Sequence, residues 1–171
     1  RPVEQGLLEG ALQRLGEQQL RQEVLAGGYR LMDAHAEQPD TVFDAEVTLV
    51  AAGAVLPDVC AAAQYLRQEG VAAHVVNLVS ARRVYEAWRE GDTGGILTRL
   101  FPERERGRPI VCVLDGSSHA LAWVGAAAQR PISSLGVDDF GLSGTRDDLY
   151  RHFGLDTLSI AEIAFRALDN A

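Results

Sequence analysis

Asp115, Ser117, Ser118 and His119 fall within six residues, in DGSSHA, directly after an apolar run of strand length. An acid, a hydroxyl and an imidazole are the parts of a nucleophile with its base and orienting group. A nucleophile turn would read Gly-x-Ser-x-Gly, however, and neighbours in sequence seldom take up relay geometry. The plainer role for Ser117 or Ser118 is to cap the next helix, with His119 lining a cleft at the strand end.

The other candidates divide in the same way. Asp138, Asp139, Asp147 and Asp148 in GVDDFGLSGTRDD offer hard oxygen donors, but not at the D-x-D-x-D-G spacing of a calcium loop. Arg82 and Arg83 follow Ser80 at a helix start and could hold an anion, although an exposed pair in salt bridges is the simpler expectation. ERERGR, residues 103–108, reads as a solvated charge run. Gly53 supplies one glycine where a dinucleotide fingerprint needs three, so it is expected only to make a strand-to-helix turn. His35 falls in a turn, His74 in an apolar strand and His152 on a short helix, none with a partner evident from spacing. Cys60 and Cys112 are too few and too far apart for zinc, and are expected as buried thiols kept reduced. The residues alone assemble no catalytic, cofactor or metal site.

Composition narrows the classes further. All 16 basic residues are Arg, which excludes Schiff-base chemistry and a P-loop lysine from this chain. A net charge of −8 opposes nucleic acid and anionic membranes as partners. No apolar run approaches the ~20 residues of a membrane span, and RPVEQGLLEG has no signal pattern. A cytoplasmic piece of a longer protein is expected. With 171 residues, 47% of them apolar, the chain can build one real core.

These residues need elements to hold them. Residues 1–28 read as a helical segment: VEQGLLEGALQRLG, then EQQLRQEVLAGG ending at Gly27 and Gly28. YRLMDA follows as a short strand and HAEQPDT as a polar turn. AEVTLVAAG, VAAHVVNLV, PIVCVLD and PISSLGV read as four further strands, each with a helix after it. Pro57 and Asp58 suit the first turn of one helix, Ser80 caps another, and one helical turn is expected around Ile96 to Phe101. Thr145 with Asp148 has the form of a capping box. Strand–helix alternation predicts an α/β, three-layer αβα fold over a parallel sheet, with the strand at Tyr29 as an antiparallel edge. Residues 29–171 are expected to be a single domain, with the helical segment packed upon it.

LGVDDFGLSGTRDDLYRHFGLD, from Leu135 to Asp156, resembles the last loop and helix of the homodimeric-type pyruvate dehydrogenase E1 component, in the transketolase superfamily. The family motif Gly-x-Asp-x-Phe-Gly-x-Ser falls on Gly136, Asp138, Phe140, Gly141 and Ser143, and Arg146, His152 and Phe153 follow in step. LAGGYRL with VTLVAAGAVLPDVCAAAQYL, and VVNLVSARRVYEAWREG, resemble the opening of that family's third domain. Asp139 and Leu142 depart from the dehydrogenase pattern.

The resemblance implies a C-terminal domain with a mixed five-stranded sheet, four strands parallel and one antiparallel. It implies a parent enzyme that decarboxylates pyruvate and acetylates the lipoyl groups of an E2 acyltransferase. Thiamine diphosphate and Mg2+ would sit between the N-terminal and middle domains of a homodimer. The Gly-Asp-Gly cofactor signature is missing here, so the chain itself is expected to bind no cofactor. Its motif loop would be structural or an interface. Asp138 would accept backbone N–H bonds, Phe140 would anchor the loop in a pocket, and Gly141 would relieve backbone strain. A transketolase C-terminal domain is the alternative within the superfamily. A stand-alone αβα regulatory or protein-binding module is the alternative outside it.

Overall fold

The computed structural model describes residues 5–170, with only the backbone of Gln5. The helix expected from Val3 is therefore seen from Gln5; residues 1–4 and 171 lie outside the described residues. Helices α1 (Gln5–Leu15) and α2 (Glu17–Ala26) lead into strand β1 (Gly28–Met32). Ala11 and Leu20 bury themselves in the core beside it.

HAEQPDT is a turn only in its second half, where the Thr41 N–H donates to the Gln38 carbonyl at 3.1 Å. Its first three residues complete a one-turn helix, α3 (Ala34–Glu37), because Asp33 Oδ1 accepts the Ala36 N–H at 3.3 Å and so caps it.

Strand β2 (Ala45–Ala52), helix α4 (Leu56–Gln68) and strand β3 (Val71–Leu78) follow, then helices α5 (Ala81–Arg89) and α6 (Ile96–Leu100). Beyond a 3-10 turn at Glu103–Glu105 come β4 (Ile110–Leu114), a second such turn at Ser118–Leu121, and α7 (Trp123–Ala128). The chain finishes with β5 (Ile132–Leu135), α8 (Arg146–His152) and α9 (Thr157–Asp169).

The sheet order is β1-β3-β2-β4-β5, with β1 antiparallel to β3 and every other pair parallel. This is the mixed five-stranded sheet expected, with β1 at the edge. The central strands are apolar on both sides because helices cover both. Val47, Leu49, Val75, Val111 and Val113 face α4 and α9, while Val50, Val76, Ile110 and Cys112 face α5, α6 and α7. Burial of one such side chain is worth about 1.5–3 kcal/mol. Cys60 and Cys112 are both buried and neither forms a disulfide. Among the described residues no helix is long and apolar enough to cross a membrane.

Two helix starts are fixed by their own side chains. Thr145 Oγ1 accepts the Asp148 N–H at 3.3 Å, and Asp156 accepts from Leu158 and Ser159. Ser80 stands at the N-cap of α5 but makes no side-chain cap bond.

Candidate functional site

In an open α/β sheet, ligands favour the carboxyl ends of the strands where the winding direction reverses. Here β2 and β4 are neighbours whose following strands lie on opposite sides, so that point falls between Gly53 and Asp115. Gly53 turns the chain out of β2 with φ of 87°, and a Cβ there would lie 2.5 Å from Asp115 Oδ1. The same carboxylate accepts the Ala54 N–H at 3.4 Å through Oδ2. The chain's own acid thus occupies the backbone N–H that a phosphate would use.

Three more groups close over this crevice. Asp58, in the first turn of α4, is paired with Arg146 at the start of α8. The Arg146 guanidinium also lies 4.2 Å above the Tyr150 ring. Burial raises the pKa of the Tyr150 hydroxyl; Arg146 lowers it, while Asp115 and Asp58 raise it, so all four share one environment. Two carboxylates set at the mouth of α4 repel a diphosphate, and the Arg146 guanidinium is already taken by Asp58. These residues do not fit thiamine diphosphate.

The structure brings Ser117, His119 and Asp138 into contact, but not as a relay. Ser117 Oγ donates to Asp138 Oδ1 at 3.0 Å and lies 2.8 Å from His119 Nδ1. The hydroxyl is therefore the middle member, where a triad needs the imidazole. The Ser118 N–H, a potential oxyanion donor, is spent on Asp138 Oδ1 at 2.8 Å. Hydrogen bonds from Ser118, then from Ser117, hold the Asp138 carboxyl below its usual range. Ser117, at the N-cap of the following turn, makes no side-chain cap bond, and the N-cap of α7 is Ala122, so neither serine caps that helix.

The motif loop is pinned at its base and open at its tip. Gly136 passes so close to the neighbouring loop that a Cβ would lie 2.4 Å from the Gly116 carbonyl oxygen. Asp138 accepts from that neighbouring loop, across the crevice. Phe140 is not seated in a pocket: it is 90% exposed, with Leu142 at 53% beside it. Among the described residues no element packs over residues 139–143, so the ring has nothing there to enter. Gly141 has no positive φ and open space where a Cβ would be, so it relieves no strain. Ser143 and His152 are exposed, the latter with its ring edge-on to Phe153 at 4.9 Å.

The clustered acids of the loop do not converge. Asp139 takes the Phe140 N–H, Asp148 the Thr145 hydroxyl, and Asp147 an Arg146 guanidinium nitrogen. Arg82 makes the expected salt bridge, with Glu86, whereas Arg83 donates to the Leu25 carbonyl instead. His119 helps line a hollow of about 450 Å³ with Arg82, Tyr85 and Trp123.

A second cluster, at the amino end of the sheet, escaped the sequence reading. ERERGR is not wholly solvated: Glu105 is 0% exposed and is the hub of a buried network. It accepts from Arg30 at 2.8 Å, Arg130 at 3.0 Å and the Thr48 hydroxyl at 3.0 Å. These partners come from β1, the approach to β5, and β2, all aimed inward at one acid.

The histidines taken as partnerless join it. His74 Nε2 lies 3.1 Å from Glu46 Oε1, and His35 Nε2 lies 3.0 Å from the same oxygen. The bond with His74 pulls the Glu46 pKa down, burial opposes and His35 adds to the pull, for a value of about 2. No local pattern marks these residues; the signal for Glu46 and His74 is a polar type within an apolar strand, and His35, on α3, has none.

The profile of the transketolase-like TK C-terminal domain matches residues 27–156. The chromosomal transketolase of Cupriavidus necator is 32% identical over 154 residues, 88% of this chain and 20% of that protein. Among known structures, transketolase of Pichia stipitis in complex with xylulose 5-phosphate superposes with a TM-score of 0.65 at 21% identity, over 87% of this chain and 19% of that one. A split-gene transketolase, described as an inactive β4 tetramer, gives 0.58 at 24% identity, over 84% and 43%. This chain spans about a fifth of the length of the curated relative it matches.

Proposed function

Since the chain belongs to the transketolase-like C-terminal domain family, we propose that it serves as the C-terminal domain of a transketolase. The parent enzyme moves a two-carbon ketol unit between sugar phosphates. Thiamine diphosphate and Mg2+, which supply the carbon–carbon chemistry, are held by its N-terminal and middle domains across a homodimer. The observation that carries this reading is the match of the C-terminal-domain profile to residues 27–156, together with 32% identity over 88% of this chain to a transketolase of which it spans a fifth.

In this reading the chain braces the enzyme and contributes no reacting group. The carboxylates at the switch point keep a diphosphate out. The Gly136 contact and the Arg146–Asp58 pair fix where the motif loop leaves the body, and Phe140 and Leu142 then face the other domains or a second subunit.

The test uses the product of the full native gene, assayed for ketol transfer from xylulose 5-phosphate to ribose 5-phosphate. Transfer that depends on thiamine diphosphate is expected, together with no calorimetric binding of that cofactor by the 171-residue chain with Mg2+ present. Micromolar binding by the chain alone overturns the bracing role.

One observation favours a second reading: Gly136, Asp138, Phe140, Gly141 and Ser143, with Arg146, His152 and Phe153, resemble the pyruvate dehydrogenase E1 motif, although Asp139 and Leu142 depart from it. A full-length protein that acetylates lipoyl groups of an E2 acyltransferase from pyruvate, and transfers no ketol unit, establishes that reading.

A further inference from the structure

Three donors from three parts of the chain converge at the amino end of the sheet: His35 from α3, Glu46 from β2 and His74 from β3. Both imidazole Nε2 atoms lie against Glu46 Oε1, and all three atoms fall within 4.8 Å of one another. The geometry points to a binding site for a transition-metal dication of the zinc type, held by two imidazoles and one carboxylate with a fourth position open to solvent.

The spacing supports it. Tetrahedral zinc, with bonds of about 2.0–2.2 Å, holds its donors roughly 3.3 Å apart. The two histidine–carboxylate separations, 3.0 and 3.1 Å, need a slight expansion to admit the ion, and the imidazole nitrogens, within 4.8 Å of each other, must close in around it. Two nitrogens and one oxygen favour zinc, cobalt or nickel over calcium or magnesium, which take oxygen.

The second shell is within reach, but it requires the proton to move from Nε2 to Nδ1 at the expense of the Ala34 hydrogen bond. His74 is fully buried, and its Nδ1 stands 3.2 Å from the Ala34 nitrogen and 3.5 Å from Asp33 Oδ1. When Ala34 N–H donates to Nδ1, the proton sits on Nε2 and points at Glu46, which is the metal-free arrangement. When Nδ1 carries the proton and turns it to Asp33, Nε2 offers its lone pair, the carboxylate–histidine–metal arrangement.

Access and charge fit as well. The His35 side chain is 46% exposed and gives a hydrated ion its way in, with Phe43 edge-on at 5.7 Å steadying the ring. The nearby cations are each held by acids. Arg30 pairs with Asp33 and Glu105, Arg104 with Asp33, and Arg130 with Glu105. Arg108 lies 3.6 Å from Glu46 Oε2, the oxygen turned away from the histidines. Glu105 Oε1, 4.0 Å from His74 Nε2, adds negative potential at the ion.

The experiment titrates the tag-free 171-residue chain, stripped with EDTA, first with Co2+ and then with Zn2+. One equivalent of Co2+ is expected, with visible absorption of a low-coordinate site that Zn2+ abolishes. His35→Ala, at an exposed position, keeps the metal-free melting curve and weakens Co2+ binding by more than about tenfold. His119→Ala and His152→Ala bind as the parent does. Nitrogen NMR of His74 reports Nδ1 passing from acceptor to protonated when Zn2+ is added. Absence of Co2+ binding, binding that survives His35→Ala, or a His74 ring unmoved by Zn2+ overturns the site.

Discussion

Nη1 of Arg130 lies 3.0 Å from Oε2 of Glu105 at a place where neither side chain meets solvent. The same carboxylate holds Arg30 of β1, so a single acid ties one edge of the sheet to the approach to the other. Two desolvated guanidiniums depend on it. Glu105→Gln keeps the shape and removes the charge, and is expected to cost about 3–5 kcal/mol, the range for an uncompensated buried charge. Thr48→Val, which loses one donor and one acceptor of the network, costs about 1–3 kcal/mol. Urea midpoints at unchanged slope measure both. If Glu105→Gln loses less than about 1 kcal/mol, water reaches the network and the argument fails.

Why this acid could not be found in the sequence is a matter of range. Alternating signs in ERERGR describe a solvated turn equally well, and the groups that make one of its acids face inward, Arg30, Thr48 and Arg130, lie 75, 57 and 25 residues away. His74 and Glu46 were hidden likewise, because a polar residue in an apolar strand has no periodicity to betray its partner. Local rules did suffice where the physics was local. The apolar runs of β2 and β3, Pro57 in the first turn of α4 and the Thr145 cap all hold in the structure. The motif loop lay between these cases. Its residues pointed to a family, but the seat expected for Phe140 needed a surface that this chain does not supply.

Gly136 and Gly141 belong to one motif and should respond in opposite ways. A Cβ at Gly136 would meet Gly116 O at 2.4 Å and Ser118 N at 2.5 Å, both backbone atoms that cannot swing aside. Gly136→Ala is therefore expected to cost about 1–3 kcal/mol, as overpacking does. Gly141→Ala meets nothing and should fall within about 0.5 kcal/mol of the parent. Thermal unfolding of the two variants decides it; equal effects would mean that the crossing at Gly136 is looser than described.

Asp156 gives α9 its start, and the contribution should depend on pH. Burial raises its pKa, but the Ser159 hydroxyl and the N–H groups of Ser159 and Leu158 outweigh that and hold it below its ordinary value of 3.8. A depressed carboxyl stabilises the fold above its unfolded value, and that share is lost as pH falls through the folded value. Asp156→Ala should cost about 1 kcal/mol at neutral pH, by the usual worth of such a cap. The gap to the parent should narrow as pH drops below 3.8. A gap that stays constant across that range would show the carboxylate to be a bystander.

Phe140 and Leu142 carry the last expectation, because their exposure has a cost in water that nothing in this chain offsets. Phe140 touches no core, so Phe140→Ser should change the stability of the 171-residue chain by less than about 0.5 kcal/mol. If the loop is an interface, the same substitution in the full-length protein is expected to uncover the apolar surface that receives the ring and to lower the thermal midpoint. The comparison between the two proteins is the measurement, since a ring serving only its own loop would show the same small effect in both. Leu142→Ser, half as exposed in fraction and on the same tip, should follow Phe140→Ser in direction. Should the full-length protein tolerate both changes without loss of midpoint or subunit association, the tip meets solvent there too and the loop is no interface.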